Sequence, residues 1–182
     1  VNSVPTGSGL ASSASGVAAL ATAAWSAAGL QPEAAVDNPE FLDLVRVGSG
    51  SAPRSLLGGV VELHKETTQV TQLVAPHEWN LRMIVARLTR ARKDISSRDG
   101  MERTARTSPY YGQWVQQHPR DLAEAREAIK NRDLEKLGTI MERSTLRMHA
   151  CMMAAEPPLR YWKGSTLEVA DAVEVLRSHG TG

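Results

Sequence analysis

The stretch Pro5-Thr6-Gly7-Ser8-Gly9-Leu10-Ala11-Ser12-Ser13-Ala14-Ser15-Gly16, running directly into the alanine-rich segment Val17 to Ala28, decides the reading of this chain. Its three glycines and four serines leave backbone N–H groups unobstructed. The Ala/Leu run behind them has high helix propensity and meets no breaker before Gly29. The pattern predicts a loop that turns into a helix. The unpaired donors of a first helical turn and the positive end of the helix dipole favour an anion, so phosphate is the first ligand to expect there. A plain structural cap fits the same composition. The stretch is not a Walker A loop, because no Gly-Lys-Ser/Thr follows the glycines.

Working outward, 182 residues suit one domain of moderate size or two small ones, and 42% hydrophobic with 23% charged residues excludes only disorder. With 21 basic against 20 acidic residues, no global charge advertises nucleic acid or a membrane surface as partner, so any anion site is local. A lone cysteine, Cys151, makes no internal disulfide, and no apolar run reaches membrane-spanning length or resembles a signal sequence. These features read as a reduced, cytoplasmic protein. Cys151 sits in His149-Ala-Cys-Met-Met, which reads as a buried helix, so packing is its expected role.

Along the chain, Gly29-Leu30-Gln31-Pro32 ends the first helix, and Glu40 to Arg46 reads as a short amphipathic helix leading into a second Gly/Ser cluster. Val60 to His64 and Leu81 to Leu88 are candidate strands. From Ser96 onward the pattern is helical. Met101 to Thr107 ends at Ser108-Pro109, and a short helical piece from Tyr110 breaks at His118-Pro119. Asp121 to Lys130 and Leu134 to Ala155 come next, with Pro157-Pro158 as the stop. Ser165-Thr166-Leu167-Glu168 has capping-box spacing and opens a last helix to Arg177. A soft domain boundary is expected near Arg90 to Asp94.

Three segments carry chemistry. The first is the phosphate loop. The second, Gly48-Ser49-Gly50-Ser51-Ala52-Pro53-Arg54-Ser55-Leu56-Leu57-Gly58-Gly59, offers hydroxyls, open N–H groups and a planar guanidinium that can grip a carboxylate or phosphate. The third is Ser96-Ser97-Arg98-Asp99-Gly100-Met101 with Thr104, Thr107 and Ser108 behind it, which on its own also reads as a capped helix start. The remaining histidines show no metal-ligand spacing, so no zinc site is expected.

The order of these residues adds a resemblance. Pro5-Thr6-x-x-Gly9-Leu10-Ala11-Ser12-Ser13-Ala14 resembles the phosphate loop of the GHMP kinase superfamily, Pro-x-x-x-Gly-Leu-x-Ser-Ser-Ala. Within that superfamily the second and third segments are similar to hallmarks of the diphosphomevalonate decarboxylases, as are Met148-His149-Ala150 and Pro157-Pro158-x-x-Tyr161-Trp162. Pro53 departs from the family pattern, with a stiffened loop and no lost function as the expected result. His149 and Tyr161-Trp162 read as architectural.

The resemblance implies an α+β, GHMP-kinase-type two-domain fold, incomplete at both ends. Residues 1–92 would be the remainder of an N-terminal domain and 93–182 the first part of a mostly helical C-terminal domain. It implies ATP-dependent decarboxylation of diphosphomevalonate to isopentenyl diphosphate, with Mg2+. ATP would be held by Gly9, Leu10, Ala11, Ser12 and Ser13. Substrate would be bound by Ser49, Gly50, Ser51, Arg54, Arg98 and Met101, with Arg54 and Ser13 in catalytic roles. In bacterial members an arginine two residues before the glycine of the third segment reaches the substrate's diphosphate, and Arg98 stands there. The family's Lys-Tyr-Trp-Gly-Lys and Asp-Ala-Gly-Pro-Asn segments would lie outside Val1 and Gly182, so the chain reads as an internal fragment, inactive by itself and homodimeric when whole. A phosphomevalonate decarboxylase, a mevalonate 3-kinase and a non-catalytic binding protein of the same fold are the alternative readings.

Overall fold

The computed structural model describes residues 10–89 and 95–180, and the chain divides into two compact units. Val1–Ile84 with Ile129–Arg132 form one, and Val85–Ala128 with Asp133–Gly182 form the other.

In the first unit, α1 spans Ser12–Ala27. Its small residues bring it close to its neighbours. Ala14 is buried in one cluster with Ala35, Phe41, Val45 and Ala52, flanked by Val17, Ala21 and Trp25, a face repeating at helical spacing. The helix ends as the sequence predicts, with Gly29 at φ 78° and the Leu30 N–H donating to the Trp25 carbonyl at 3.3 Å. Beyond a 3-10 turn over Pro32–Asp37, α2 covers Pro39–Gly48. Pro39 stands at its start, and the Asn38 side chain accepts from the Phe41 N–H at 2.8 Å. Phe41, Leu42 and Val45 form the buried face of α2. A Cβ on Gly48 would lie 2.7 Å from Val17 Cγ1, so glycine is what lets the end of α2 approach α1.

A second 3-10 turn, Ala52–Ser55, leads to strand β1, Val60–Leu63, which pairs antiparallel with β2, Val70–Val74. Gly59 has φ 77°, and a Cβ there would collide with the Val74 carbonyl oxygen. Thr68, in the hairpin loop, donates to Asp43 of α2 at 2.8 Å. The expected strand Leu81 to Leu88 does not form. Residues 81–89 carry no regular structure, with Met83 80% and Ile84 96% exposed. The residues are apolar enough, but a strand exists only with a hydrogen-bonding partner, and among the described residues the partner of β1 is β2.

The second unit is helical: α3 at Ser97–Thr107, α4 at Tyr111–Lys130, α5 at Leu134–Met153 and α6 at Gly164–Ser178. The expected break at His118-Pro119 is absent, since α4 runs through Pro119. Proline removes one N–H from the helix and crowds the carbonyl four residues back, a local cost that the contacts on either side offset. Tyr111 meets Trp114 edge-on, and Trp114 lies against His118. Beyond the proline, Asp121 is almost fully buried, receiving Arg143 Nη2 at 2.7 Å and Arg147 Nη1 at 2.8 Å from α5. Arg143 also binds Glu124, at 2.6 Å. The capping box expected at Ser165 is displaced by two residues. Helix α6 is entered from Lys163, whose N–H donates to Thr166 Oγ1 at 3.1 Å. No helix among the described residues is long and apolar enough to cross a membrane.

Hydrogen bonds from Arg143, then Arg120, hold the Glu124 carboxyl below its ordinary value of 4.5. Arg177 does the same for Glu142. Because both carboxyls are lowered by folding, their contribution is complete above that ordinary value and disappears as pH falls through the lower folded one. The urea midpoint of the helical unit is therefore expected to fall on acidification below about pH 4.5, and Arg143→Met should flatten that acid limb. Parallel acid limbs for the two proteins would refute the assignment.

Candidate active site

Helix α1 begins without a side-chain cap. Ala11, just outside it, is left-handed at φ 50°, ψ 40°, and its carbonyl accepts the Ala14 N–H at 2.8 Å. A left-handed alanine is unfavourable, and such strain persists where surrounding structure enforces it. It is the turn by which the described chain enters α1; Pro5 to Gly9, the rest of the expected loop, lie outside the described residues. Leu10 is half-buried, Ser12 half-buried and Ser13 exposed, so Ser13 faces away from the side on which Ala14 is buried. The Ser13 hydroxyl has no partner among the described residues, and Gly9 lies outside them.

The second segment is held by its backbone. The Ser49 N–H donates to the Val45 carbonyl at 3.2 Å, the Ala52 N–H to Ser49 at 2.9 Å, and the Arg54 N–H to Ser51 at 3.3 Å. Ala52 and Pro53 are buried in the unit's interior while Arg54 and Ser55 face out. The departure at Pro53 thus anchors the turn that presents Arg54. Among the described residues the hydroxyls of Ser49 and Ser51 and the guanidinium of Arg54 have no hydrogen-bond or ion-pair partner. Gly50 is exposed, with open space where a Cβ would stand. Of Gly48 and Gly50, packing against Val17 accounts for the first and nothing crowds the second. Ala14 and Ala52 share one apolar cluster, so the structure brings the Ser12–Ser13 end of α1 and the Ser49–Arg54 turn together.

Arg98 and Met101 belong to the second unit, on the first turns of α3. Ser96 caps this helix: its Oγ accepts the Asp99 N–H at 3.1 Å and donates to Asp99 Oδ2 at 2.6 Å. Arg98 is exposed and without a partner among the described residues, and Met101 is 58% exposed. The two threonines behind them make structural hydrogen bonds. Thr104 Oγ1 donates to the Gly100 carbonyl at 2.7 Å, and Thr107 Oγ1 accepts the Glu156 N–H at 2.8 Å. Sequence reading missed this last link. The spacing of Thr104 and Thr107 places both on one face of α3, but nothing local identifies the distant partner.

His149 and Trp162 stack at 4.5 Å, 43° apart, on the wall of a cavity of about 230 Å³. Tyr161 packs beside Met152, Ala155 and Leu159. The architectural reading of both fits these contacts. Cys151 is buried, which raises its thiol above the ordinary value and argues against a nucleophile.

Comparison with known proteins points one way. Residues 1–74 match the family described as diphosphomevalonate decarboxylase-like N-terminal domain. Residues 83–180 match the mevalonate 5-diphosphate decarboxylase C-terminal domain. The diphosphomevalonate decarboxylase of Gibberella zeae is 35% identical over 184 residues, covering 96% of this chain and 47% of the relative. Among solved structures, the mevalonate diphosphate decarboxylase from Enterococcus faecalis is 36% identical with a TM-score of 0.76, over 97% of this chain and 54% of that one. A structure described as MDDEF in complex with MVAPP, AMPPCP and magnesium is 38% identical with a TM-score of 0.80, over the same shares of 97% and 54%. This chain therefore spans about half the length of the relatives it matches.

The left-handed Ala11 gives a direct test. Ala11→Gly relieves the steric cost at φ 50° but adds freedom to the unfolded chain, so stability should stay level or rise by up to about 1 kcal/mol. Ala11→Val, with a branched Cβ, should lose about 1–2 kcal/mol. Urea denaturation of both variants decides it, and a valine variant as stable as the glycine one would mean that the left-handed turn is not retained in solution.

Proposed function

This chain belongs to the diphosphomevalonate decarboxylase family, of α+β GHMP type, and from that we infer that the intact protein carries out ATP-dependent decarboxylation of (R)-5-diphosphomevalonate to isopentenyl diphosphate. ADP, phosphate and carbon dioxide are the other products. The observation that carries the reading is a set of polar groups without partners among the described residues. They are the hydroxyls of Ser13, Ser49 and Ser51 and the guanidiniums of Arg54 and Arg98, each standing where the family's motifs place ligand-binding groups. A protein that only kept the fold would have no chemical reason to keep Ser49, Ser51 and Arg54 together in this arrangement.

The substrate's tertiary hydroxyl is a poor leaving group, so the reaction must first make it a phosphate ester. The carbon–carbon bond to the carboxylate then breaks, its electron pair forms the new double bond, and the phosphate departs with the carbon–oxygen pair. Gly9 to Ser13, at the positive end of α1, would cradle the nucleotide's phosphates. The partnerless hydroxyl at the mouth of an open helix terminus fits a magnesium nucleotide, and Ser12 or Ser13 would face the metal or the transferred phosphate. Magnesium, when bound, neutralises phosphate charge. Arg54 would orient the substrate carboxylate, with Ser49, Gly50 and Ser51 beside it, while Arg98 and Met101 would bind the diphosphate end. In physical terms most of the rate enhancement would be positioning and charge stabilisation. A division of the chain at residues 92 and 93 into two GHMP domain portions, a cytoplasmic location and a homodimer complete the reading. The lone, buried Cys151 supports a reducing compartment.

Nucleotide binding is tested by isothermal titration of the intact protein with a non-hydrolysable ATP analogue. The double variant Gly9→Val, Ser13→Ala should bind at least about tenfold more weakly, and equal affinity would remove the loop from the site. Substrate identity is tested at Arg98. A charge-assisted contact is worth about 1.5–3 kcal/mol, so Arg98→Ala should raise KM for diphosphomevalonate roughly 10- to 100-fold and lower kcat less. Arg54→Ala should instead lower kcat most, since the group it orients is the one that leaves. If Arg98→Ala leaves the preference between diphospho- and monophosphomevalonate unchanged, a phosphomevalonate decarboxylase or mevalonate 3-kinase becomes the better assignment.

A further inference from the structure

We propose that Tyr161 is a positioning residue for the Ser96–Met101 end of α3, its hydroxyl fixing the backbone that presents Arg98. The proposal rests on the assignment of Arg98 to the substrate's diphosphate.

The Tyr161 ring lies against the apolar group Met152, Ala155 and Leu159, with Ile95 and Met148, where a phenylalanine would pack equally well. The hydroxyl does something the ring cannot. It donates toward the carbonyls of Ile95, at 3.4 Å, and Ser96, at 3.3 Å, two successive residues at the entry to α3. The Ser96 carbonyl also opens the helix, accepting the Gly100 N–H at 3.0 Å. The Ile95 carbonyl lies outside the helix ladder, since the Asp99 N–H four residues on is taken by Ser96 Oγ at 3.1 Å.

Gly100 makes the approach possible. A Cβ at residue 100 would run into the Tyr161 hydroxyl oxygen, so the third segment's glycine and the tyrosine of Pro157-Pro158-x-x-Tyr161-Trp162 form one fitted contact. Burial pushes the phenol up from its ordinary value, which keeps it a donor across the physiological range. The far end of α3 is held by the same segment, through the Glu156 N–H donating to Thr107 Oγ1 at 2.8 Å. The segment 156–161 therefore ties α3 at both ends. Arg98, having no partner of its own among the described residues, takes its position from this backbone.

The test uses the intact protein and steady-state kinetics with diphosphomevalonate on four variants: Tyr161→Phe, Gly100→Ala, Arg98→Ala and the double Tyr161→Phe, Arg98→Ala. Tyr161→Phe should raise KM roughly 3- to 10-fold, with kcat within about twofold of wild type and the melting temperature nearly unchanged. Gly100→Ala, whose Cβ would take the hydroxyl's place and force the phenol ring to shift, should raise KM at least as much. The double variant should be no more than about twofold worse than Arg98→Ala alone, because once the guanidinium is gone its placement no longer matters. If Arg98→Ala raises KM while Tyr161→Phe does not, or if the two effects multiply, Tyr161 is a core residue only. If Arg98→Ala itself leaves KM unchanged, the assignment of Arg98 fails, and the role of Tyr161 falls with it.

Discussion

The first unit depends on how closely α1 can approach α2 and the 3-10 turn at Ala52–Ser55. Ala14 on α1 and Ala52 in that turn are both buried in one cluster, and Gly48 has no room for a Cβ beside Val17. Larger side chains at these places would push the start of α1 away from the Ser49–Arg54 turn, since cores do not absorb added methylenes without backbone shifts. The alanine-rich character of α1 therefore does two things. It supplies helix propensity, and it sets the spacing between the phosphate-loop helix and the turn that carries Arg54.

Elements whose signals are local were legible in the sequence. The cap Ser96, the stop at Gly29 and the glycine at 59 sit in or beside the elements they define, and α1, α2, β1, α3 and α5 are readable from them and from their apolar spacing, whereas the Asn38 cap of α2 emerged only from the structure. What failed depended on partners elsewhere. Leu81 to Leu88 has strand composition, yet pairing decides strands, and Val70–Val74 is the segment that pairs. Pro119 is a strong local breaker overridden by Asp121, Arg143 and Arg147, residues whose meeting across α4 and α5 no local pattern reveals. At α6 the expected serine cap lost to an entry two residues earlier, in which Thr166 reaches back to Lys163.

The candidate site divides in the same way. Which residues are candidates for chemistry was readable, because the serines, glycines and arginines stand in order along the chain. Why neighbouring residues are what they are was not. Gly48 reads as part of a Gly-Ser-Gly-Ser loop, but its glycine is explained by Val17. Thr107 reads as part of a helix end, but its hydroxyl serves the backbone of Glu156, 49 residues on. Motifs record the outcome of long-range packing without stating its geometry.

The arginines show what separates a binding group from a structural one. Arg143, Arg147 and Arg177 are committed to carboxylates across helices, and a ligand would have to break those pairs to use them. Freedom from a partner is not enough, because Arg46 on α2 is equally exposed and also unpaired among the described residues. Arg54 and Arg98 differ from it in standing within the segments that resemble the family's motifs. Arg54 comes directly after the fully buried Pro53 in a hydrogen-bonded 3-10 turn, and Arg98 sits in a first helical turn fixed by Ser96, Asp99 and Tyr161. Holding the backbone removes part of the ordering cost that a flexible cation meets on gripping an anion. An unpaired guanidinium on a held backbone, in a segment where the family's motifs place ligand-binding groups, is the arrangement that the proposed roles of Arg54 and Arg98 require.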